Sequence, residues 1–110
     1  MSLSRLRAAI VRVTEQCEGS FSIVVAVGSE TVDIAADEVV TAASLIKIPV
    51  LLTACRLADQ GGLDLAKTIP IPPEERVGGC GVLSRLTDLQ SLSLRDLLTL
   101  MMIVSDNTAS

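Results

Sequence analysis

The stretch TAASLIKIPV, residues 41–50, places Ser44 and Lys47 three positions apart among apolar residues. The apolar run continues to the glycines at 61–62, and it predicts a largely buried helix that ends there. Residues three apart lie on one face of a helix, one turn apart, so the Lys47 amine is expected to reach the Ser44 hydroxyl. Pro49 removes one helical hydrogen bond, which predicts a distinct first turn.

This serine–lysine pair has two interpretations. A serine hydroxyl is a weak nucleophile that needs a base, and a lysine can be that base where apolar surroundings disfavour its charged form. A helix N-terminus adds N–H groups that favour a developing oxyanion. Serine is also among the commonest N-terminal caps of helices, so Ser44 can equally be a cap that stands beside an ordinary lysine.

A second polar cluster, Ser105-Asp106-Asn107, follows a predicted helix. Ser93 and Asp96 form a capping-box pattern at the start of that helix, and its apolar residues recur with helical spacing. Serine, aspartate and asparagine all form turns, so the tripeptide can simply end the helix. It can also present polar side chains to a cleft. The occurrence of both motifs in one short chain favours the catalytic interpretation.

The remaining segments predict an N-terminal α/β part and a long connection. Residues 3–18 have the periodicity of an amphipathic helix. Residues 21–27 and 31–36 predict two strands of a hairpin, with Gly28 in the turn, and the first helix is the nearest surface for that hairpin to pack on. Residues 63–92 are predicted to be loop-rich. They include the proline- and glycine-rich segment IPIPPEERVGGCG, which is long for a connection, and long loops in compact domains are often functional.

The composition disfavours several classes of function. The 110 residues carry a net charge of −4 and no cluster of Lys and Arg, which disfavours nucleic-acid binding. The absence of histidine removes Ser-His and Cys-His dyads and nearly all zinc sites, and neither a metal nor a cofactor is expected. No apolar run reaches the roughly 18 residues of a membrane span, and arginines interrupt any signal-peptide core near the N-terminus. Three widely spaced cysteines leave free thiols or one pair open.

Four segments resemble the penicillin-recognising serine hydrolases, and most of all the class A β-lactamases. In the family's order and at about its spacing, they are FSIVVAV, AASLIKIPVLLTACRLADQGGLDL, GGCGVL and LSLRDLLTLMMIVSDNTAS. The resemblance implies an α+β fold, with an antiparallel sheet flanked by helices and an all-helical subdomain. The chain is expected to be its N-terminal portion, mostly helical with one β-hairpin. Residues 3–36 would belong to the α/β part, and residues 44–110 would form the nucleophile helix and the start of the helical subdomain.

The same resemblance implies roles for the motif residues. Ser44 would be the acylated nucleophile, and its backbone N–H would supply half of an oxyanion hole. Lys47 would accept the proton of Ser44, directly or through water, and Ser105 would relay a proton to the departing lactam nitrogen. Asn107 would bind the amide side chain of the substrate and help to fix the lysine, while Asp106 would hold the loop. The implied substrate is a small β-lactam or a peptidoglycan-like peptide.

Two parts of the family pattern do not occur in these 110 residues. They are the Lys-Thr-Gly motif and the loop that carries the deacylating Glu, both of which come later in the family. The missing C-terminal part of the same domain is therefore an expected partner, without which this segment should be inactive. A penicillin-binding D-Ala-D-Ala peptidase, a non-catalytic relative that acts as a binding domain, and an unrelated helical interaction module remain alternatives. Family members usually work in the periplasm or outside the cell, but no signal peptide is evident and the compartment stays open.

Overall fold

A computed structural model describes residues 2–110 and forms two compact units, one up to Thr41 and one from Ala42 to Ser110. The helices and strands, in chain order, are α1 (Leu3–Thr14), β1 (Ile23–Val27), β2 (Glu30–Ile34), α2 (Lys47–Asp59), β3 (Thr68–Pro70), β4 (Ser91–Ser93) and α3 (Leu94–Ile103). Short 3₁₀ helices occupy Ala43–Ile46, Pro73–Glu75 and Leu83–Arg85.

The first unit is a helix packed on a hairpin, as the sequence predicts. Strands β1 and β2 pair antiparallel, and the pairing of Val27 with Glu30 leaves a two-residue turn. Gly28 opens this turn with a φ of +62°, a conformation that glycine adopts without steric cost. The α1 helix contacts β2 but ends at Thr14, four residues before the predicted end. The residues that follow close 3₁₀-type turns instead, since Gln16 N–H donates to the Val13 carbonyl.

The second unit contains a small sheet that sequence periodicity does not predict. Strand β3 pairs antiparallel with β4, within and at the end of the region 63–92 that the sequence predicts to be loop-rich. The expectation of one β-hairpin is therefore incomplete, because a second two-stranded ladder is present. Each of its strands has three residues, too few to show an alternating pattern. The ladder borders a core of Ile71, Leu83 and Leu97.

A 3₁₀ turn, Ala43–Ile46, precedes α2, so the first turn is distinct as Pro49 predicts. Pro49 is the third residue of α2, where its missing N–H has no partner within the helix in any case. The interpretation of Ser44 as the helix cap is wrong. The N-cap of α2 is Ile46, that of the 3₁₀ turn is Ala42, and neither makes a side-chain capping bond. The Ser44 hydroxyl therefore caps neither helix and is available to other partners.

The prediction that α2 is largely buried is also wrong. Lys47 is its buried residue, whereas Ile48, Leu52 and Leu57 are exposed. Within its unit, α2 packs on the preceding 3₁₀ turn and on α3, which leaves the rest of its apolar surface uncovered. Across residues 2–110, no helix has both the length and the apolarity that a bilayer crossing requires.

The α3 helix begins as predicted. The Ser93 hydroxyl accepts the Asp96 N–H at 3.1 Å and donates to the Asp96 carboxylate at 2.7 Å, which caps the helix at its N-terminus. Leu97, Leu98 and Met101 are buried on one side of the helix. This packing fixes the orientation of α3 and therefore the position of the turn that follows it, which includes Ser105.

Candidate active site

The side chains of both motifs meet in the unit Ala42–Ser110. The Lys47 ammonium donates to the Ser105 carbonyl at 2.6 Å, to Ser105 Oγ at 3.0 Å and to Asn107 Oδ1 at 2.9 Å. Ser105 Oγ in turn donates to Ser44 Oγ at 2.9 Å. A continuous hydrogen-bonded path therefore runs from Lys47 through Ser105 to Ser44.

Lys47 does not hydrogen-bond Ser44 directly anywhere in the described chain, contrary to the contact that the helical spacing predicts. All three N–H groups of its ammonium are taken by Ser105 and Asn107. Lys47 is only 5% exposed, and a buried ammonium needs several acceptors, which the turn after α3 provides and a single exposed hydroxyl does not. Ser105 is therefore the link between the lysine and Ser44.

Two residues beside this path have left-handed backbone conformations. Ala43, directly before Ser44, has a φ of +45°, and Ser105 has a φ of +53°. A non-glycine residue in this region costs on the order of 1–3 kcal/mol, and such residues concentrate at functional sites. At Ser105 the conformation turns both the carbonyl and the hydroxyl toward Lys47. The tripeptide thus ends α3, as a turn former would, and also presents its polar groups to the lysine.

The buried Asp106 carboxylate ties the turn after α3 to the backbone around Leu83. The Asp106 side chain is 1% exposed, and its carboxylate accepts the backbone N–H groups of Val82 at 2.6 Å, Leu83 at 2.9 Å and Thr108 at 2.9 Å. Burial raises the pKa of this carboxyl, but four backbone hydrogen bonds lower it more, so the pKa lies below its ordinary value. Asp106 therefore remains a charged acceptor at neutral pH.

Ser44 and Ser105 line an open cavity of about 440 Å³. Ser44, Lys47 and Ser105 form its polar part, and Met101 and Met102 contribute apolar walls. This volume lies within the range of about 300–1,000 Å³ that is usual for sites that bind small molecules. Within residues 2–110, no three potential metal-ligating side chains come together.

Comparison with known families shows to which family the chain belongs. The model of the beta-lactamase enzyme family matches residues 4–110. The chain belongs to the beta-lactamase enzyme family. No curated protein matches the chain.

Solved structures agree with the family assignment. A β-lactamase from Sphaerobacter thermophilus DSM 20745 is 36% identical, with a TM-score of 0.82 over 94% of this chain and 39% of its own. PBP-A, and a variant of it in an acyl-enzyme complex with penicillin G, are each 22% identical, with a TM-score of 0.80 over 97% of this chain and 42% of their own. The predicted resemblance and α+β fold class are confirmed. The chain spans about two fifths of the length of these structures.

The sequence patterns do not predict how the site of this β-lactamase-family chain is supported from the connection before β4. The Cys80 carbonyl accepts the Asn107 N–H at 3.0 Å, and the Gly78 carbonyl accepts the Asn107 side-chain amide at 3.2 Å. Thr108 Oγ1 bonds both the N–H and the carbonyl of Val77. The glycines of GGCG were the available signal, because closely spaced glycines mark close backbone approach as well as phosphate loops. The Cys80 thiol itself is exposed and unpaired with another cysteine.

Asp106→Ala is expected to lower the free energy of unfolding by about 3 kcal/mol. The change leaves the N–H groups of Val82, Leu83 and Thr108 without their acceptor, and each buried unsatisfied group costs about 1–3 kcal/mol. Urea unfolding of the full-length protein measures the loss. Asp88→Ala is the matched control, because Asp88 is exposed and surface changes stay within about 0.5 kcal/mol.

The loss of stability in Asp106→Ala is expected to depend on pH. Since folding lowers the pKa of Asp106, its contribution is complete above the unfolded-state pKa, about 3.9, and is lost as the pH falls through the folded-state value. The stability difference between wild type and Asp106→Ala should hold from about pH 7 to 5 and shrink below about pH 4. A difference that grows in acid would contradict this account.

Proposed function

We propose that this chain carries the nucleophile portion of a serine β-lactamase active site, with class A chemistry and an acyl-enzyme at Ser44. The observation that carries the proposal is the relay from Ser44 Oγ to Ser105 Oγ, 2.9 Å, and on to Lys47 Nζ, 3.0 Å. Each distance is within hydrogen-bond reach, as proton transfer requires. The path ends on a buried lysine, the kind of group that can exchange a proton with a weak nucleophile.

Acylation follows this path. Ser44 Oγ attacks the lactam carbonyl carbon while its proton passes to Ser105 Oγ and the Ser105 proton passes to Lys47. A neutral Lys47 amine keeps two N–H groups, which suffice for the Ser105 carbonyl and Asn107 Oδ1. Its lone pair then faces Ser105 Oγ. The Ser105 carbonyl, Ser105 Oγ and Asn107 Oδ1 can thus bond the neutral amine, which accepts a proton, as well as the charged ammonium.

Opening of the lactam ring runs the relay in reverse. When the carbonyl carbon–nitrogen bond breaks, the nitrogen takes the Ser105 proton, and Lys47 returns its proton to Ser105. The atoms balance, because the serine proton ends on the leaving nitrogen and the acyl group stays on Ser44. Asn107 would orient the substrate, since its side-chain NH₂ has one hydrogen on the Gly78 carbonyl and a second available for a substrate amide oxygen.

The complete reaction needs further segments of the same domain. We propose that they supply the rest of the oxyanion hole and the base for deacylation, and that they cover the exposed apolar side of α2. The exposure of Ile48, Leu52 and Leu57 supports this, because a large uncovered apolar face usually marks an interaction surface. Residues 3–36 would then belong to the α/β part of the domain and residues 44–110 to its helical part.

A penicillin-binding D-Ala-D-Ala peptidase is the second candidate, supported by the fold shared with PBP-A. Both activities begin with the same acylation of Ser44. They differ in whether water removes the acyl group quickly. A lactamase turns over, whereas a peptidase of this type is held by penicillin as a lasting acyl-enzyme.

Intact-mass spectrometry of the full-length protein with penicillin G separates these outcomes. Consumption of penicillin without a lasting adduct identifies a lactamase. A lasting adduct with the mass of penicillin, mapped to the peptide that contains Ser44, identifies the peptidase-like alternative. If no adduct forms and no penicillin is consumed, the catalytic proposal is overturned for penicillins, and a non-catalytic binding domain is favoured.

A further inference from the structure

The amide of Asn107 is held at both ends. Its Oδ1 accepts from Lys47 at 2.9 Å, its Nδ2 donates to the Gly78 carbonyl at 3.2 Å, and its backbone N–H donates to the Cys80 carbonyl at 3.0 Å. The main chain of residues 78–80 therefore lies directly against this side chain. The orientation of the side chain decides which end of the amide faces the lysine and which faces the Gly78 carbonyl.

Gly79 stands at the centre of this contact. A Cβ on Gly79 would lie 2.8 Å from Asn107 Nδ2, closer than Cβ atoms are found to approach other heavy atoms. The φ of Gly79 is +98°, a conformation that glycine alone adopts readily. The amide cannot move aside at little cost, because a shift stretches the hydrogen bonds to both Lys47 and Gly78.

We propose that Gly79 is a positioning residue for the site, acting through Asn107. The missing side chain lets the backbone of residues 78–80 press on the amide of Asn107 and hold its oxygen on Lys47. A side chain at position 79 displaces the amide, loosens the lysine and moves the NH₂ group that would meet the substrate. The kinetic part of this inference rests on the proposed function, while its structural part does not.

Gly79→Ala is the test, and Gly61→Ala is the matched control. Gly61 also has a positive φ, +72°, in the same unit, but a Cβ there meets nothing within 4 Å. Gly61→Ala therefore also places an alanine at a positive φ, but without the contact. In the full-length protein we expect Gly79→Ala to slow acylation by penicillin G about 10- to 100-fold, because small misplacements of positioning groups have effects of that size. Gly61→Ala should change the rate less than about twofold.

A double-mutant cycle tests whether Gly79 acts through Asn107. In an Asn107→Ala background the clash is gone, so adding Gly79→Ala should slow acylation by less than about twofold more. An undiminished loss in that background would overturn the proposal, as would equal rates for Gly79→Ala and Gly61→Ala. If Gly79→Ala fails to fold, Asn107→Ala should restore folding, and a double variant that stays unfolded would count against the inference.

A second readout does not depend on catalysis. Asn107 is the single asparagine of these 110 residues, and its side-chain NH₂ resonances can be assigned in a ¹⁵N–¹H spectrum of the full-length protein by their loss in Asn107→Ala. Gly79→Ala should shift these resonances, and Gly61→Ala should leave them in place. If wild type does not react with penicillin, the proposed function fails but these resonances still decide the role of Gly79. Unchanged resonances in Gly79→Ala would refute it.

Discussion

Replacing Ser44 with alanine is expected to lower the acylation rate with penicillin G by about 10⁴-fold or more. Loss of the nucleophile of a serine hydrolase can lower kcat by about 10⁶-fold, because the group that forms the covalent bond is removed. Ser44 is exposed, lies at the end of the hydrogen-bonded path from Lys47 and borders the cavity of about 440 Å³. Stopped-flow acylation and intact-mass spectrometry of the full-length protein measure the loss.

The control for this change is Ser20→Ala, because Ser20 is exposed and lies in the other unit of the chain. It should acylate at the wild-type rate. Ser44→Ala should keep the unfolding midpoint of wild type within a few degrees, since a small exposed hydroxyl is lost. A Ser44→Ala protein that still gains the mass of penicillin would show that another residue is the nucleophile.

Replacing Lys47 with methionine is expected to slow acylation by about 10²- to 10⁴-fold, the usual contribution of a positioned general base. Methionine is also unbranched, is one atom shorter than lysine and fills most of the same buried space, but it can neither accept a proton from Ser105 nor hold Asn107. The protein should remain folded, because the change also removes a buried charge. Acylation kinetics and a thermal melt separate these two effects.

Lys67→Met is the matched control, because Lys67 is the second of two lysines in the chain and is exposed. It should leave acylation unchanged. Lys47→Arg divides the roles further, since arginine keeps donors and charge but does not give up its proton. Arginine at 47 that restores a large part of the rate would show that the charge of Lys47, and not its exchange of a proton, matters for acylation.

Local features of the chain were predictable where one short segment decides them. The hairpin turn at Gly28, the distinct turn before Pro49 and the cap at Ser93 each depend on the steric and hydrogen-bonding preferences of a few neighbouring residues. Features that depend on distant partners were not predictable. The three-residue strands β3 and β4 exist because they pair with each other across about twenty residues of connection.

The exposure of α2 shows the same limit of prediction from sequence. Its apolar composition predicts a helix surrounded by other elements, but composition reports what a surface can pack against and not what is present to pack on it. Within its unit, α3 covers one side of α2, and residues such as Leu52 remain exposed. The apolar residues thus indicate an interface without identifying what occupies it.

By itself the sequence determined which functional groups the chain contains: a serine and a lysine three residues apart, a Ser-Asp-Asn turn and no histidine. The two motifs also indicated the family. Only the tertiary structure decided how these groups connect. Helical spacing predicts that Lys47 meets Ser44, but the buried ammonium is satisfied by Ser105 and Asn107, and Ser105 joins it to the hydroxyl. The physical reason is that a buried charge takes the partners that satisfy all of its hydrogen bonds, and those partners come from a distant turn that the core beneath α3 holds in place.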